Sequence, residues 1–115
     1  MTISQENKQI LLIDQLCIPC RAGTPMPLQE AERLLSSLTN WQMTDDGTWL
    51  EKRLSFANFA EALAYVNRVA SIAEAENHHP DIRFGWGYVT LRLQTHAVGG
   101  LHRNDFILAA KIDAV

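Results

Sequence analysis

Histidine is the side chain whose ordinary pKa lies nearest neutrality, so its placement is the first guide to acid–base chemistry in a chain. Three of the four histidines fall in two short stretches, Glu74-Ala75-Glu76-Asn77-His78-His79-Pro80 and Thr95-His96. Helical spacing places Glu74 and His78 on one face, where the carboxylate would set the tautomer and favour the charged form of the imidazole. Pro80 disfavours a helical conformation in the residue before it. His78 is therefore expected at or just past a helix C-terminus, where the helix dipole also favours a protonated ring, and His79 is expected to be extended. Three imidazoles around one cleft would serve either to move protons on a small molecule or to hold a metal. Adjacent histidines seldom ligate one ion together, and the His-x-x-x-His spacing of helical metal sites is absent, so proton transfer without a metal is the expectation. The competing reading is that these residues are helix caps and surface side chains.

The elements that must position them follow from periodicity. Pro27 suits a first helical position, and Leu28, Ala31, Leu34, Leu35 and Leu38 recur at helical spacing to predict a helix over 27–38. Asn40 tolerates the left-handed conformation that follows helices. Strands are predicted at 41–43 and 48–56 around the turn signal Asp45-Asp46-Gly47. A long helix should begin at Asn58, which has capping-box spacing to Glu61, and bury Phe59, Leu63, Val66, Val69, Ala70 and Ala73. A second hairpin over 81–86 and 88–95 turns at Gly85 and Gly87. Val89, Leu91 and Leu93 alternate with Tyr88, Thr90, Arg92, Gln94 and His96, which assigns His96 to a polar strand face. A last helix over 103–113 buries Phe106, Leu108, Ala109 and Ile112. The order helix-hairpin-helix-hairpin-helix predicts an α+β fold, a four-stranded antiparallel sheet with three helices on one face. The other face would stay bare unless a second subunit or a ligand covers it. Residues 1–9 are expected to fray, 1–26 to form an N-terminal arm and 27–115 a single domain.

Composition narrows the function class. The 115 residues are 47% hydrophobic, enough for one real core, and carry a formal net charge of −3. Lys and Arg are scattered, with no basic stripe for nucleic acid. No apolar run reaches the roughly 20 residues of a membrane span. A cytoplasmic protein with no nucleic-acid or membrane partner is the expectation. Cys17 and Cys20 form a lone Cys-x-x-Cys in a Pro- and Gly-containing arm. Two reduced thiols are the simplest reading, and a metal completed by other residues or a redox pair stay open.

Taken together, Glu74, His78-His79-Pro80, Trp86, Thr95-His96, Gly100-Leu101 and Asp105 closely resemble the pterin-4a-carbinolamine dehydratases. Asn40-Trp41 and Phe56-Ala57-Asn58-Phe59 are similar to that family's Gly-Trp and Phe-x-Asp-Phe, and the arm to the N-terminal extension of bacterial members. The resemblance covers about 27–113. It departs at Asn40 (usually glycine), Trp86 (often tyrosine) and His102, where the family's threonine would cap the last helix. The change to His102 is expected to weaken that cap and to add an imidazole near the site.

The resemblance implies dehydration of 4a-hydroxytetrahydrobiopterin to quinonoid dihydropterin, which recycles the pterin of aromatic amino-acid hydroxylases, with no cofactor. It implies His78, His79 and His96 as active-site residues and a homodimer or homotetramer. Within that set, His78 and His96 are expected to exchange protons and His79 to hold the pterin. Glu74, Pro80, Thr95 and Asp105 would support them, Asp105 either assisting chemistry or complementing a helix dipole. Trp41 would lie either near the pterin or in the core. The alternatives are a non-catalytic protein-binding or dimerisation cofactor and a dehydratase-like protein acting on another pterin, such as one linked to molybdenum cofactor.

Overall fold

The computed structural model describes residues 11–115; the expected fraying of 1–9 lies outside the described residues. Helix α1 spans Leu28–Leu35, strand β1 Gln42–Thr44, β2 Trp49–Ser55, helix α2 Phe59–Glu76, β3 Asp81–Gly85, β4 Tyr88–Leu93 and helix α3 Arg103–Asp113. The four strands form one antiparallel sheet in the order β1-β2-β4-β3. The expected α+β order of helices and hairpins is thus the observed one.

Strand alternation builds the core. Leu50 on β2 and Val89, Leu91 and Leu93 on β4 point inward and are fully buried. They join Ala62, Tyr65 and Val69 of α2 and Phe106, Leu108, Ala109 and Ile112 of α3 in one cluster. The predicted face of α3 is the buried one. That of α2 is only partly so: Val69 and Ala73 are buried as expected and Val66 packs against the core, but Phe59, Leu63 and Ala70 are exposed, and Ala62 and Tyr65 are buried in their place. This helix is apolar over more than half its circumference, so the spacing alone does not say which stripe meets the sheet. Tyr65 decides it by stacking on Phe56, with ring centroids 5.2 Å apart, and Phe59 turns outward onto Phe84 at 5.4 Å.

Helix ends are set by local chemistry. Asn58 caps α2, its side chain accepting from the Glu61 N–H at 2.9 Å. Asn77 ends that helix with φ 53°, in the left-handed region where asparagine is tolerated. Helix α1 stops at Leu35, three residues before the predicted end, and tightens into turns through Leu38 before Asn40 takes φ 62°. That conformation explains how Asn40 can stand where glycine is usual. Leu28, assigned to the buried face, is exposed because it sits in the first turn of α1, beyond the edge of the core.

Between Cys17 and Met26 the chain is tied to the elements that follow. The Met26 N–H donates to the Leu101 carbonyl at 2.8 Å. Asn104 of α3 clasps Ile18, accepting from its N–H at 3.0 Å and donating to its carbonyl at 2.6 Å. Glu76, the last residue of α2, accepts the Cys17 N–H at 2.8 Å and pairs with Lys111 at 2.6 Å. Burial works against the Glu76 carboxylate, but the Cys17 N–H and the Lys111 ammonium outweigh it and hold its pKa below the usual 4.5. A depressed carboxylate pKa contributes stability that is complete above the unfolded value and is lost as pH falls below it. The protection of the Cys17 amide, the slowing of its exchange relative to an unstructured amide at the same pH, is therefore expected to fall as pH drops below about 4.5. Glu76→Ala should remove that protection at neutral pH and speed tryptic cleavage at the exposed Arg21. Unchanged exchange in Glu76→Ala would show that the arm is held by other contacts.

Candidate active site

Asp105 is the hub around which the matched segments meet. It lies in the first turn of α3, where a carboxylate suits the helix dipole, and it is fully buried. Its Oδ1 meets His78 Nε2 at 2.6 Å. Its Oδ2 accepts the Thr95 hydroxyl at 2.8 Å and the His102 backbone N–H at 3.0 Å. One carboxylate thus ties together the end of α2, the chain leaving β4 and the start of α3.

Each partner reaches Asp105 for a local reason. Past Asn77 the chain leaves the helical course, and the His78 N–H turns back to the Ala73 carbonyl at 3.2 Å, the six-to-one bond of a left-handed helix stop. This swings His78 away from Glu74 and toward α3, leaving its side chain only 14% exposed. The expected Glu74–His78 pair is therefore corrected: Glu74 Oε2 pairs with His79 Nε2 at 2.5 Å, both well exposed. Pro80 follows and leads directly into β3. Thr95 is held by a bridge to Gly100, its N–H donating to the Gly100 carbonyl at 2.9 Å.

His96 is also corrected. Strand β4 ends at Leu93, and His96 begins a short 3₁₀ turn, His96–Val98, instead of continuing the polar strand face. Its exposed ring meets Trp49 edge-on, centroids 6.2 Å apart, and Arg92 stacks over Trp49 at 4.3 Å. Arg92 also pairs with Asp45 in the β1–β2 turn. Trp49 is a contact of His96 that periodicity missed; an outward aromatic at the start of β2 was its only signal.

Trp41 is buried, and its indole N–H donates to Asp113 Oδ1 at 2.8 Å. Asp113 ends α3 and Asp105 sits in its first turn, so at 1.5 Å per residue Trp41 bonds about 12 Å away along that helix. It is a core residue at the far end from His78. His102 does not weaken the cap of α3: its Nδ1 accepts the Asn104 N–H at 2.9 Å and completes a capping box with Asp105.

Cys17 lies beside this cluster, its thiol donating to the Asn104 carbonyl at 3.5 Å. Burial, and then the Glu76 carboxylate, push its pKa from 9.0 to about 12. That suits a protonated structural thiol and not a nucleophile. Among the described residues, no group of three or more His, Cys, Asp or Glu is arranged to hold a metal ion, and no helix is long and apolar enough to cross a membrane.

Chemically, a buried carboxylate on one ring nitrogen holds an imidazole in one tautomer and stabilises the cation formed when the other nitrogen takes a proton. His78 has this arrangement. Removing Asp105 would leave the Thr95 hydroxyl and the His102 N–H without their acceptor. Asp105→Ala is expected to lower stability by about 2–4 kcal/mol, the scale of losing a capping carboxylate and stranding buried donors. Urea unfolding measures it; a loss below about 1 kcal/mol would show that the cluster is not a structural hub.

A family model described as pterin 4 alpha carbinolamine dehydratase matches residues 24–115. A protein of Halorhodospira halophila is 50% identical over 105 residues, spanning 90% of this chain and 96% of its own, and one of Methylococcus capsulatus is 48% identical over 98 residues, spanning 84% and 86%. Both carry the name pterin-4-alpha-carbinolamine dehydratase as a provisional assignment. Among solved structures, a transcriptional coactivator/pterin dehydratase from Brucella melitensis superposes with a TM-score of 0.74 at 26% identity, over 79% of this chain and 97% of that one. A pterin dehydratase-like protein identified as a RuBisCO assembly factor in the alpha-carboxysome gives 0.57 at 28% identity, over 66% and 88%.

Proposed function

The chain belongs to the pterin-4a-carbinolamine dehydratase family, and from that membership we propose that it dehydrates 4a-hydroxytetrahydrobiopterin to the quinonoid dihydropterin. The observation that carries this reading is the His78–Asp105–Thr95 network, which joins the two histidine segments through one buried carboxylate.

The reaction takes a proton from N5, forms the N5–C4a double bond and expels the C4a hydroxyl as water. With Nε2 committed to Asp105, His78 has Nδ1 left to accept the N5 proton, and Asp105 stabilises the resulting imidazolium. His96, in the turn after Thr95, then protonates the departing hydroxyl. Groups titrating near neutrality suit both steps. His79, held by Glu74 at the surface, binds the pterin. Thr95 fixes the carboxylate, and Pro80 fixes the exit from α2. The residues do this without a metal or redox cofactor. The reading places the chain in the cytoplasm, beside the aromatic amino-acid hydroxylases whose product it would take.

Exposed Phe59 and Leu63 on α2, with Trp86 and Tyr88 at the β3–β4 turn, support a homodimer or homotetramer. A sedimentation mass above the 12.9 kDa of one chain is the expected result. The competing reading, a protein-binding module, draws on the assembly-factor neighbour and the same apolar residues. The pairing of Asp105 with His78 supports catalysis, since it leaves an imidazole with one nitrogen oriented by a carboxylate and the other free to exchange a proton.

His78→Ala and His96→Ala are each expected to lower kcat by roughly 10²–10⁴, the usual range for a positioned acid or base. His79→Ala should raise KM more than it lowers kcat. Dialysis against a chelator should leave turnover unchanged. A folded double variant of His78 and His96 with full turnover would remove the mechanism, and a folded wild type with no turnover above the spontaneous rate would promote the binding-module reading.

A further inference from the structure

An N-cap is normally Ser, Thr, Asp or Asn, whose oxygen accepts a backbone N–H throughout the neutral pH range. In α3 that place is taken by an imidazole, His102, whose Nδ1 accepts from the Asn104 N–H at 2.9 Å. A ring nitrogen that accepts carries no proton, so the capping ring is neutral with its hydrogen on Nε2. The His102 backbone N–H donates to Asp105 Oδ2 at 3.0 Å, and Asp105 Oδ1 meets His78 Nε2 at 2.6 Å. The cap, the carboxylate and the histidine assigned above as base are consecutive links of one chain of bonds.

Protonating His102 would act on this chain twice. Nδ1 would become a donor facing the donor Asn104 N–H, and a positive charge would appear at the positive end of the helix dipole. Among the described residues, the charged and titratable groups linked to the cap and to the elements beside it are the following. Asp105, in contact through the backbone, attracts a charged imidazole, whereas the Asn104 N–H and the dipole repel it. His78 stands beyond Asp105. Arg103 of α3 is directed to Gln15 of the arm at 2.8 Å and to Glu30 of α1 at 3.9 Å. Cys17 of the arm is a protonated thiol, and Glu76 at the end of α2 is paired with Lys111 of α3.

We propose that His102 is a positioning residue of the site: its neutral imidazole sets the helix start that presents Asp105 to His78, and its protonation releases that cap as pH falls through the histidine range. The consequence for turnover rests on the dehydratase reading. The cap and its coupling to His78 do not.

The test compares wild type with His102→Thr, whose hydroxyl caps at every pH, and with His102→Ala, which does not cap. NMR follows the Asn104 amide and the His78 ring as pH is lowered from about 8 to about 5.5, the span in which histidine titrates. In wild type the Asn104 amide should titrate with the midpoint of the His102 ring, and the His78 ring should show a second inflection at that midpoint. Both features should vanish in His102→Thr. The ratio of wild-type to His102→Thr kcat should fall on acidification by about fivefold, the scale of one N-cap interaction. His102→Ala should show a lowered kcat without that acid inflection; should it fail to fold, His102→Thr still decides. An Asn104 amide that ignores the His102 ring, or a His78 profile unchanged in His102→Thr, would overturn the proposal. Absence of turnover in wild type would count against the dehydratase reading alone, because the NMR comparison stands without it.

Discussion

A fully buried carboxylate must find partners or not be buried, because moving an unpaired charge out of water costs several kcal/mol even after relaxation. Asp105 meets that constraint with three donors drawn from three places in the chain: His78 after α2, Thr95 after β4 and the His102 backbone at the start of its own helix. Those segments cannot separate without stranding the charge. His78, and through Thr95 the segment that carries His96, are therefore held in place by the same interaction that would serve the chemistry of His78. The arm lies against the same region, with Asn104 gripping Ile18 and Glu76 gripping Cys17.

Helix α3 carries a second acidic anchor at its other end, and the contrast is instructive. Asp105 sits where the helix dipole welcomes a negative charge; Asp113 sits where it does not. Asp113 is offset by Lys52 at 2.7 Å, the Trp41 indole N–H at 2.8 Å and the Thr39 N–H at 2.8 Å. Its cluster uses a lysine and an indole and locks α3 to β2 and to the turn before β1. The Asp105 cluster uses an imidazole in the lysine's place. The Asp113 anchor reads as structural, and the Asp105 anchor places its carboxylate on a side chain of the kind that serves acid–base chemistry.

Much of this was legible in the sequence because it depended on local rules. The α3 boundaries, the Asn58 cap, the left-handed Asn40 and the inward alternation of Val89, Leu91 and Leu93 all follow from spacing and side-chain type. What was not legible depended on three-dimensional choices. The apolar surface of α2 is wide enough to leave its inward stripe undecided, and the Phe56–Tyr65 contact turns the helix so that Ala62 and Tyr65 join Val69 and Ala73 inside while Phe59 and Leu63 stay out. Glu74 and His78 have the right spacing for a helical pair, but Asn77 ends the helix between them and hands His78 to a carboxylate far along the chain. Strand alternation ran on to His96 in the sequence, whereas the Thr95–Gly100 bridge turns the backbone first. The imidazole cap was invisible as a cap because histidine is seldom used as one, although Asp105 at the third helical position was the signal that a capping partner preceded it.

The claim on which the functional account turns is that the Asp105 charge on His78 drives proton transfer from the pterin. It is tested most directly by dehydration of enzymatically generated 4a-hydroxytetrahydropterin, followed by absorbance of the quinonoid product, in wild type and in Asp105→Asn. Asparagine keeps the shape and one acceptor oxygen but removes the charge that stabilises an imidazolium. Wild type is expected to exceed the spontaneous rate clearly, and folded Asp105→Asn to lose roughly 10²–10⁴ in kcat. A folded Asp105→Asn that turns over as fast as wild type would contradict it.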